Sequence, residues 1–441
     1  AIKAAQKDLS EEELKNSGLS EDELKQVTVV MVEEGRHALA LLSAARFDHP
    51  AKKLVMIGVT GTKGKTTTTH MIRAILLAAG KKVGMIGTTG TVIGYVVTPT
   101  LNTTPESYEL HQAFAQMVEA GCEYAVMEVS SQGIKMHRTD GLYFNYAIFT
   151  NISPDHIGPG EHADFEEYLY YKTRLLNMCG IGLVNKDDEH APQIIKAANC
   201  ELYTYSEESK EADFVASDIR YVSQPDFVGT EFHISGKYDM EVRLGIPGLF
   251  NVVNALAAVS VCSFLGLDQA RISHALENIR VNGRMEIVYT SERCTVLVDY
   301  AHNAVSMESL LSTLRDYKPK RLVCVFGCGG NRSKDRRYSM GEIGGKMADL
   351  SIITADNSRY EKVEDIIADI RGSIEKTGGK FIEIPDRREA IRYSILHAQP
   401  GDMVAVIGKG HEDYQEINGV RHHFLDREVI EETVKELGEK A

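Results

Sequence analysis

Residues Leu54 to Ile72 read LVMIGVTGTKGKTTTTHMI, and the reading of this stretch decides how the surrounding chain folds. The apolar, β-branched run Leu54–Val59 predicts a buried parallel strand. A glycine-bearing turn follows, and from Thr66 to Ala79 the residues Ile72, Ile75, Leu76 and Ala79 recur at helical spacing. Strand, Gly-rich turn and helix start make an anion site, because backbone N–H groups and the positive end of the helix dipole converge on one point. In that reading Gly61, Thr62, Lys63, Gly64 and Thr67 wrap a nucleoside triphosphate. Lys65 reaches its terminal phosphates, and the Thr66 hydroxyl ligates Mg²⁺. The strict phosphate-loop pattern has a glycine where Val59 stands, so TGTKGKTTT is a variant of it. A solvated surface turn is the alternative, and the flanking strand and helix speak against it.

Composition sets the outer limits. A chain of 441 residues, 43% hydrophobic and 25% charged, has room for about two or three globular domains. A net charge of -14 argues against non-specific nucleic-acid binding, so a polyanionic ligand must be met by local basic clusters. Seven cysteines with no CxxC pair predict reduced thiols and a cytoplasmic location. No apolar run approaches the ~20 residues that span a bilayer, and no signal peptide is legible, so no membrane partner is expected. Ala1 is not a methionine, so the N-terminus is processed or lies upstream.

Outward from the phosphate loop, residues 1–50 form a short acidic, helix-prone segment. Ser10–Glu13 and Ser20–Glu23 look like capping boxes, and an amphipathic helix is predicted between Val29 and Ala45. Residues 51–281 alternate strands and helices as a central ATP-binding domain with a parallel sheet. The strand Tyr124–Val129 delivers Glu128 and then Ser130 at the carboxyl edge, where ligands of open α/β sheets bind. Glu128 there suits a second Mg²⁺ anchor, with a helix cap or a salt bridge as the alternative. The strand Tyr146–Asn151 leads to His156 on the same edge. The helix Phe165–Met178 carries Lys172, which periodicity alone reads as a solvated lysine. Residues 200–245 read as an antiparallel side sheet. In the apolar helix Leu249–Gly266, Asn251 and Asn254 share a face, against either a purine edge or backbone. Residues 282–441 then form a C-terminal Rossmann-like α/β domain, with polar clusters at four strand ends: Asp299–His302, Gly327–Arg337, Asp356–Arg359 and Gly408–Glu412. Facing the phosphate-binding domain across a hinge at Val281–Glu286, they suggest a shared cleft.

Taken together, TGTKGKTTT, NTTPES, MEVSSQG, NISPDH, FNVVNAL, NGRME, VDYAHNA, FGCGGNRSKDRR, ADNSRYE and GKGHEDYQ resemble the ATP-dependent Mur ligases, most nearly the MurE type, over residues 54 to 435. The resemblance implies a carboxylate-amine ligase working through an acyl phosphate and releasing ADP and phosphate. Its small-molecule substrates would be ATP, an amino acid such as meso-diaminopimelate, and an acid such as UDP-MurNAc-L-Ala-D-Glu. It implies catalytic roles for Lys65, Glu128, His156 and Lys172. Glu128 and His156 become Mg²⁺ ligands, and Lys172 becomes an N6-carbamylated lysine that bridges the metal. Asn251 would contact adenine, Arg284 phosphate and Asp299 ribose. Thr103, Thr104, Ser130 and Arg138 would hold the acid, while His302, Arg337, Asn357, Arg359, Gly408 and Glu412 surround the incoming amino acid. A bidentate Arg359 suits a second carboxylate.

Several departures bear on substrate. Lys63 stands for the usual loop asparagine, Gln132 for a common His, Met136 for a common Gln, and Ser358 for the proline of the DNPR signature. IGPGEH replaces the common LDYHG after Asp155-His156. In place of the N-terminal domain that grips UDP stands a short acidic segment, so either the chain is truncated or a UDP-free acid of another pathway is used. A non-catalytic nucleotide-binding protein is disfavoured by the intact Lys65, Glu128, His156, Lys172 and Arg284. A folylpolyglutamate ligase is disfavoured by the DNSR and GKGHE elements.

Overall fold

The structure, a computed structural model, describes residues 32–438. The segments Ser10–Glu13 and Ser20–Glu23 lie outside the described residues. The chain forms two compact units. The first runs to Val215 and adds Gly236–Tyr238 and Leu256–Ile272; the second holds Ala216–Ser235, Asp239–Ala255 and everything from Ser273.

In the first unit, α1 (Gly35–Arg46) precedes β1 (Val55–Thr60), α2 (Lys65–Ala78) and the strands β2 (Val83–Gly87), β3 (Gly90–Ile93) and β4 (Val96–Thr98). Then come α3 (Ser107–Glu119), β5 (Tyr124–Glu128), α4 (Ser131–Lys135), β6 (Phe144–Phe149), α5 (Phe165–Thr173), β7 (Cys179–Asn185), α6 (Ala191–Ala197) and β8 (Glu201–Ser206). The strand order is β8-β7-β6-β1-β5-β2-β3-β4. From β8 to β2 every neighbour is parallel, and β3 and β4 add antiparallel edges. β8, read from sequence as part of an antiparallel side sheet, therefore extends the parallel one.

β1 lies between β5 and β6 because the side chains of Val55–Val59 are apolar or absent, as a strand covered on both faces requires. Gly58 sits under Phe144, where a Cβ would come within 2.9 Å of the ring. The core beneath is built from Met56, Phe114, Met127, Phe144, Phe149 and Leu175.

In the second unit, β9 (Phe214–Gln224, whose first two residues belong to the first unit) is followed by β10 (Phe227–Gly236) and β11 (Met240–Leu244), the last two antiparallel. α7 (Leu249–Phe264) and α8 (Gln269–Glu277), whose residues Leu256–Phe264 and Gln269–Ile272 belong to the first unit, lead to β12 (Glu286–Thr290), β13 (Cys294–Asp299), α9 (Ala304–Asp316), β14 (Arg321–Phe326) and α10 (Asp335–Met347). The chain ends with β15 (Leu350–Ile353), α11 (Val363–Thr377), β16 (Phe381–Glu383), α12 (Arg387–Leu396), β17 (Asp402–Ile407), the hairpin β18 (Tyr414–Ile417) and β19 (Val420–His423), and α13 (Asp426–Glu436). The sheet order is β12-β13-β17-β14-β15-β16, parallel except for β12. Pairing across β13, β17 and β14 aligns their carboxyl ends, so the loops after Asp299, Phe326 and Ile407 share one edge.

A fully buried ion pair supports that edge. The Arg387 guanidinium donates to both Asp426 oxygens, at 2.7 and 2.6 Å, and to the carbonyls of Ile407 and Ala355. Both partners are completely enclosed. Such a pair is weak evidence for net stability, but deleting one partner strands the other charge. Arg387→Met is expected to destabilise the second unit by about 3–5 kcal/mol. Arg387→Met with Asp426→Leu should recover most of that loss, measured as urea midpoints.

Candidate active site

The turn after β1 owes its shape to two glycines. Gly61, at φ +142, passes so close to Thr150 that a Cβ would lie 1.9 Å from its hydroxyl oxygen. Gly64, at φ +85, is the N-cap of α2 and contributes no side-chain acceptor. The first-turn amides of α2 thus lack a side-chain cap, the arrangement in which a helix N-terminus takes an anion. The outer part of the turn is braced by Asn151, whose side chain accepts from Lys63 N and donates to Lys63 O. Lys63 itself is exposed. The Lys65 ammonium rests on the carbonyls of Gly61 and Thr62 at 2.8 and 3.1 Å.

Register carries Glu128 to this turn, because Val59 of β1 pairs with it directly. Its carboxylate is 1% exposed and accepts from the Thr66 hydroxyl at 3.0 Å to each oxygen, and from Thr88 N at 2.9 Å. Gly87 leaves room for this carboxylate, since a Cβ there would lie 2.3 Å from Glu128 Oε1 and push it aside. Neighbouring ligand oxygens in an octahedral Mg²⁺ shell lie about 2.9 Å apart. The Thr66–Glu128 pair is already set at that separation, so these residues fit the ion. Bound there, Mg²⁺ would neutralise phosphate charge.

The acid-side residues form one network with this carboxylate. The Thr104 hydroxyl donates to Glu128 O and accepts from Ser130 N, and Thr103 meets Thr88 hydroxyl to hydroxyl at 3.2 Å. Ser130 caps α4 by accepting from Gly133 N. Arg138 donates to Thr104 O and pairs with Glu106 at 2.8 Å.

Lys172 is 2% exposed, which corrects the reading of it as a surface lysine. Tyr168, Leu169, Lys172 and Thr173 make up the buried face of α5, so the lysine shares the face of the tyrosine one turn before it. Its ammonium donates to Gly61 O at 2.7 Å and sits 4.6 Å from the centre of the Tyr168 ring. Burial first, then the charge of Lys65, holds it well below the usual lysine range, with Asp155 opposing. Tyr168 meets the Thr62 hydroxyl at 3.1 Å, and burial pushes its phenol up to about 12.

His156 stands at φ +53 with its side chain half exposed, and its partners are Glu161 at 3.0 Å and Asp155 at 3.8 Å. Sequence reasoning passed over His162, which is wholly buried, bonds Ser131 at 2.9 Å and packs on Tyr168 and Tyr171. Its place in IGPGEH gave no signal, since a histidine in a glycine-rich loop reads as solvated.

In the second unit a cavity of about 370 Å³ opens among the sheet-edge loops. His302, Asn357, Arg359, Gly408 and Glu412 line it, as do Arg332 and Arg336. Asn357 and Glu412 are joined at 3.0 Å, and the buried Lys409 binds both at 3.2 Å. Arg359 donates to Gly330 O at 2.7 Å. The side chains of Arg332 and Arg336 have no ion-pair or hydrogen-bond partner among the described residues. Arg337 is not brought to the cavity: it is 1% exposed and engaged with Glu361 and Asp369 at 2.8 and 2.9 Å. Three arginines in one short stretch are indistinguishable by type, and only the start of α10 decides which face inward.

The remaining sequence candidates are used internally. Asn251, 1% exposed, donates to Pro247 O at 2.7 Å and accepts from Asn254 at 3.2 Å, the backbone-packing alternative. Asp299 accepts from Met285 N and Ala301 N, and Arg284 lies over the Tyr300 ring at 4.9 Å.

The site thus defines a nucleoside-triphosphate-binding α/β unit, joined in the same chain to a parallel-sheet unit with a charged, amino-acid-sized cavity. Residues 59–262 match the family described as Mur ligase middle domain, and residues 283–410 match Mur ligase, glutamate ligase domain. The chain belongs to the Mur ligase family, whose members are ATP-dependent ligases. It is 40% identical over 416 residues to a UDP-N-acetylmuramoyl-L-alanyl-D-glutamate--2,6-diaminopimelate ligase of Caldanaerobacter subterraneus, covering 93% of this chain and 84% of that one. A solved structure of a ligase of the same name superposes with TM-score 0.72 at 32% identity, over 93% of this chain and 85% of the other. A folylpolyglutamate synthase of Mycobacterium tuberculosis shares the fold at TM-score 0.64 and 18% identity, over 84% of this chain and 92% of the other. Among the described residues no helix is long and apolar enough to cross a membrane.

Lys172 also leaves a mark on stability. Its folded pKa lies below its unfolded value, so between the two the unfolded chain binds the extra proton and stability rises with pH. Lys172→Met is expected to match or exceed the wild type in thermal stability near pH 7. It should also flatten the rise toward about pH 9.5, measured as melting temperature against pH.

Proposed function

We propose that this chain uses ATP to join an amino acid bearing two carboxylates, 2,6-diaminopimelate, to UDP-N-acetylmuramoyl-L-alanyl-D-glutamate. The observation that carries the reading is the cavity of the second unit, where Arg332, Arg336 and Arg359 stand beside Asn357 and Glu412. Arginines suit carboxylates and an acidic group suits an ammonium, so the lining matches a zwitterion with a second acid better than a lysine-like substrate. Ser358 in place of proline leaves Arg359 among the lining residues. The names of the relatives support the same amino acid.

In this reading the substrate carboxylate attacks the γ-phosphorus of ATP. A new P–O bond forms as the bond to the β-phosphate oxygen breaks and ADP leaves. The amine then attacks the acyl carbon, loses a proton, and phosphate departs with the bonding pair. Lys65 exchanges its loop carbonyls for phosphate oxygens, and the uncapped start of α2 receives the phosphate chain. Thr66 and Glu128 would hold Mg²⁺, which would offset the phosphate charge. Thr104 and Ser130 position the acid through the network that ends on Glu128.

Lys172 enters as a carbamate. The neutral amine is the form that adds CO₂, giving a carbamate anion and one released proton, and burial favours that form at Lys172. That exchange replaces a poorly solvated cation with an anion suited to a metal beside the loop.

ADP release should be stimulated by UDP-MurNAc-L-Ala-D-Glu together with meso-diaminopimelate, and not by lysine in its place. Stimulation only by UDP-free acids would overturn the choice of acid. Arg332→Ala is expected to raise KM for the diamino acid by at least tenfold with KM for ATP unchanged, whereas Lys65→Ala should abolish turnover. Lys172→Ala should be inactive and partly rescued by short carboxylates; full activity without rescue would remove the carbamate.

A further inference from the structure

Three side chains of the first unit that belong to neither the phosphate-loop set nor the acid-side set converge on one point. His37 of α1 places Nδ1 2.6 Å from Asp140 Oδ2, and His137 places its Nδ1 2.8 Å from the same oxygen. The two imidazoles lie edge to face with centres 6.2 Å apart. All three donor atoms fall within 4.8 Å of one another. His137 adopts φ +57, a left-handed conformation that L side chains rarely take, and such strain persists where the surroundings over-determine it. The Asp140 side chain is 15% exposed while those of His37 and His137 are 49% and 33% exposed, so the cluster is anchored on its carboxylate and open on its imidazole side.

We propose that His37, His137 and Asp140 form a binding site for a divalent transition-metal ion of the Zn²⁺ class, which clamps α1 to the turn between α4 and β6. Two neutral imidazoles and a carboxylate are a borderline donor set, suited to Zn²⁺, Co²⁺ or Ni²⁺ and not to Mg²⁺, which prefers oxygen ligands. A tetrahedral ion with ligands at about 2.0–2.2 Å holds its donors roughly 3.3 Å apart. The present N···O separations of 2.6 and 2.8 Å need to open by roughly 0.5–0.7 Å, within reach of small torsional adjustments of partly exposed rings. Water fills the fourth position on the open side. The surrounding charge does not oppose the ion strongly, because Arg36 and Arg138 both pair with Glu106, at 3.1 and 2.8 Å. Those pairs also tie α1 and the segment after α4 to the loop before α3, so the clamp reinforces a junction already present.

The test uses the full chain without an affinity tag, stripped with chelator and kept in excess Mg²⁺ to occupy the phosphate-loop site. Zn²⁺ is titrated by calorimetry into wild type, His37→Gln, His137→Gln and Asp140→Asn, and Co²⁺ binding is followed by visible absorption. Wild type is expected to bind one more Zn²⁺ than each variant, or to bind it at least tenfold more tightly. It should also show Co²⁺ absorption that the variants lack, and a Zn²⁺-dependent rise in melting temperature absent from His37→Gln. Equal Zn²⁺ stoichiometry, affinity and melting shift in wild type and His37→Gln would overturn the site. His37 lies on an exposed helix face with Asp140 as its hydrogen-bond partner, so that variant keeps the fold and the comparison stands.

Discussion

A carboxylate buried at the end of a central strand is the constraint on which the first unit turns. Glu128 is closed off from water, and burying a charged group is unfavourable unless donors surround it. Thr66 and Thr88 supply those donors, and in doing so they lock the first turn of α2 and the end of β2 to β5. The demand propagates outward. Gly87 must leave room for the carboxylate, β1 must pair in register with β5, and Thr104 must close over the Glu128 carbonyl. The glycine-bearing turn after β1 and the loop carrying Thr104 are thereby held in one hydrogen-bonded frame.

The same frame explains why Lys172 is tolerated. Its ammonium shares the Gly61 carbonyl with Lys65, two cations on one acceptor in a water-poor setting. Burial and the charge of Lys65 both disfavour the Lys172 cation. A fold under selection for stability alone would place an apolar side chain on this face of α5. A buried lysine there is a local sacrifice of stability of the kind that functional sites carry.

The second unit solves a different problem with the same edge rule. Its parallel strands align their carboxyl ends, and the buried Arg387–Asp426 pair ties two of the loops there to α12 and α13. The loops then present charged side chains around a cavity without any one of them being a regular element. Lys409, fully enclosed, balances Glu412 and orients Asn357, so the acidic part of the cavity is arranged before any ligand arrives.

The phosphate loop, its strand and its helix were legible from residue type and period alone, because hydrophobic spacing and glycine placement act over a few residues. Most strand ends in the second unit were legible for the same reason, and so was the place of Glu128 at the end of β5, because a strand end is a local feature. What lay beyond the sequence was which face each polar side chain would take. Lys172 reads as solvated until Tyr168 and the Gly61 carbonyl are packed over it, and His162 reads as a loop residue until Ser131 meets it. Arg332, Arg336 and Arg337 differ only in where the start of α10 points them. β8 joined the parallel sheet because β7 offered a free edge, which no local pattern records. His37 and Asp140 are more than a hundred residues apart, and only the folded chain sets them side by side. Local propensity is written in short-range order; burial, pairing partner and side-chain direction are properties of segments distant in sequence, and they exist only once the tertiary structure has formed.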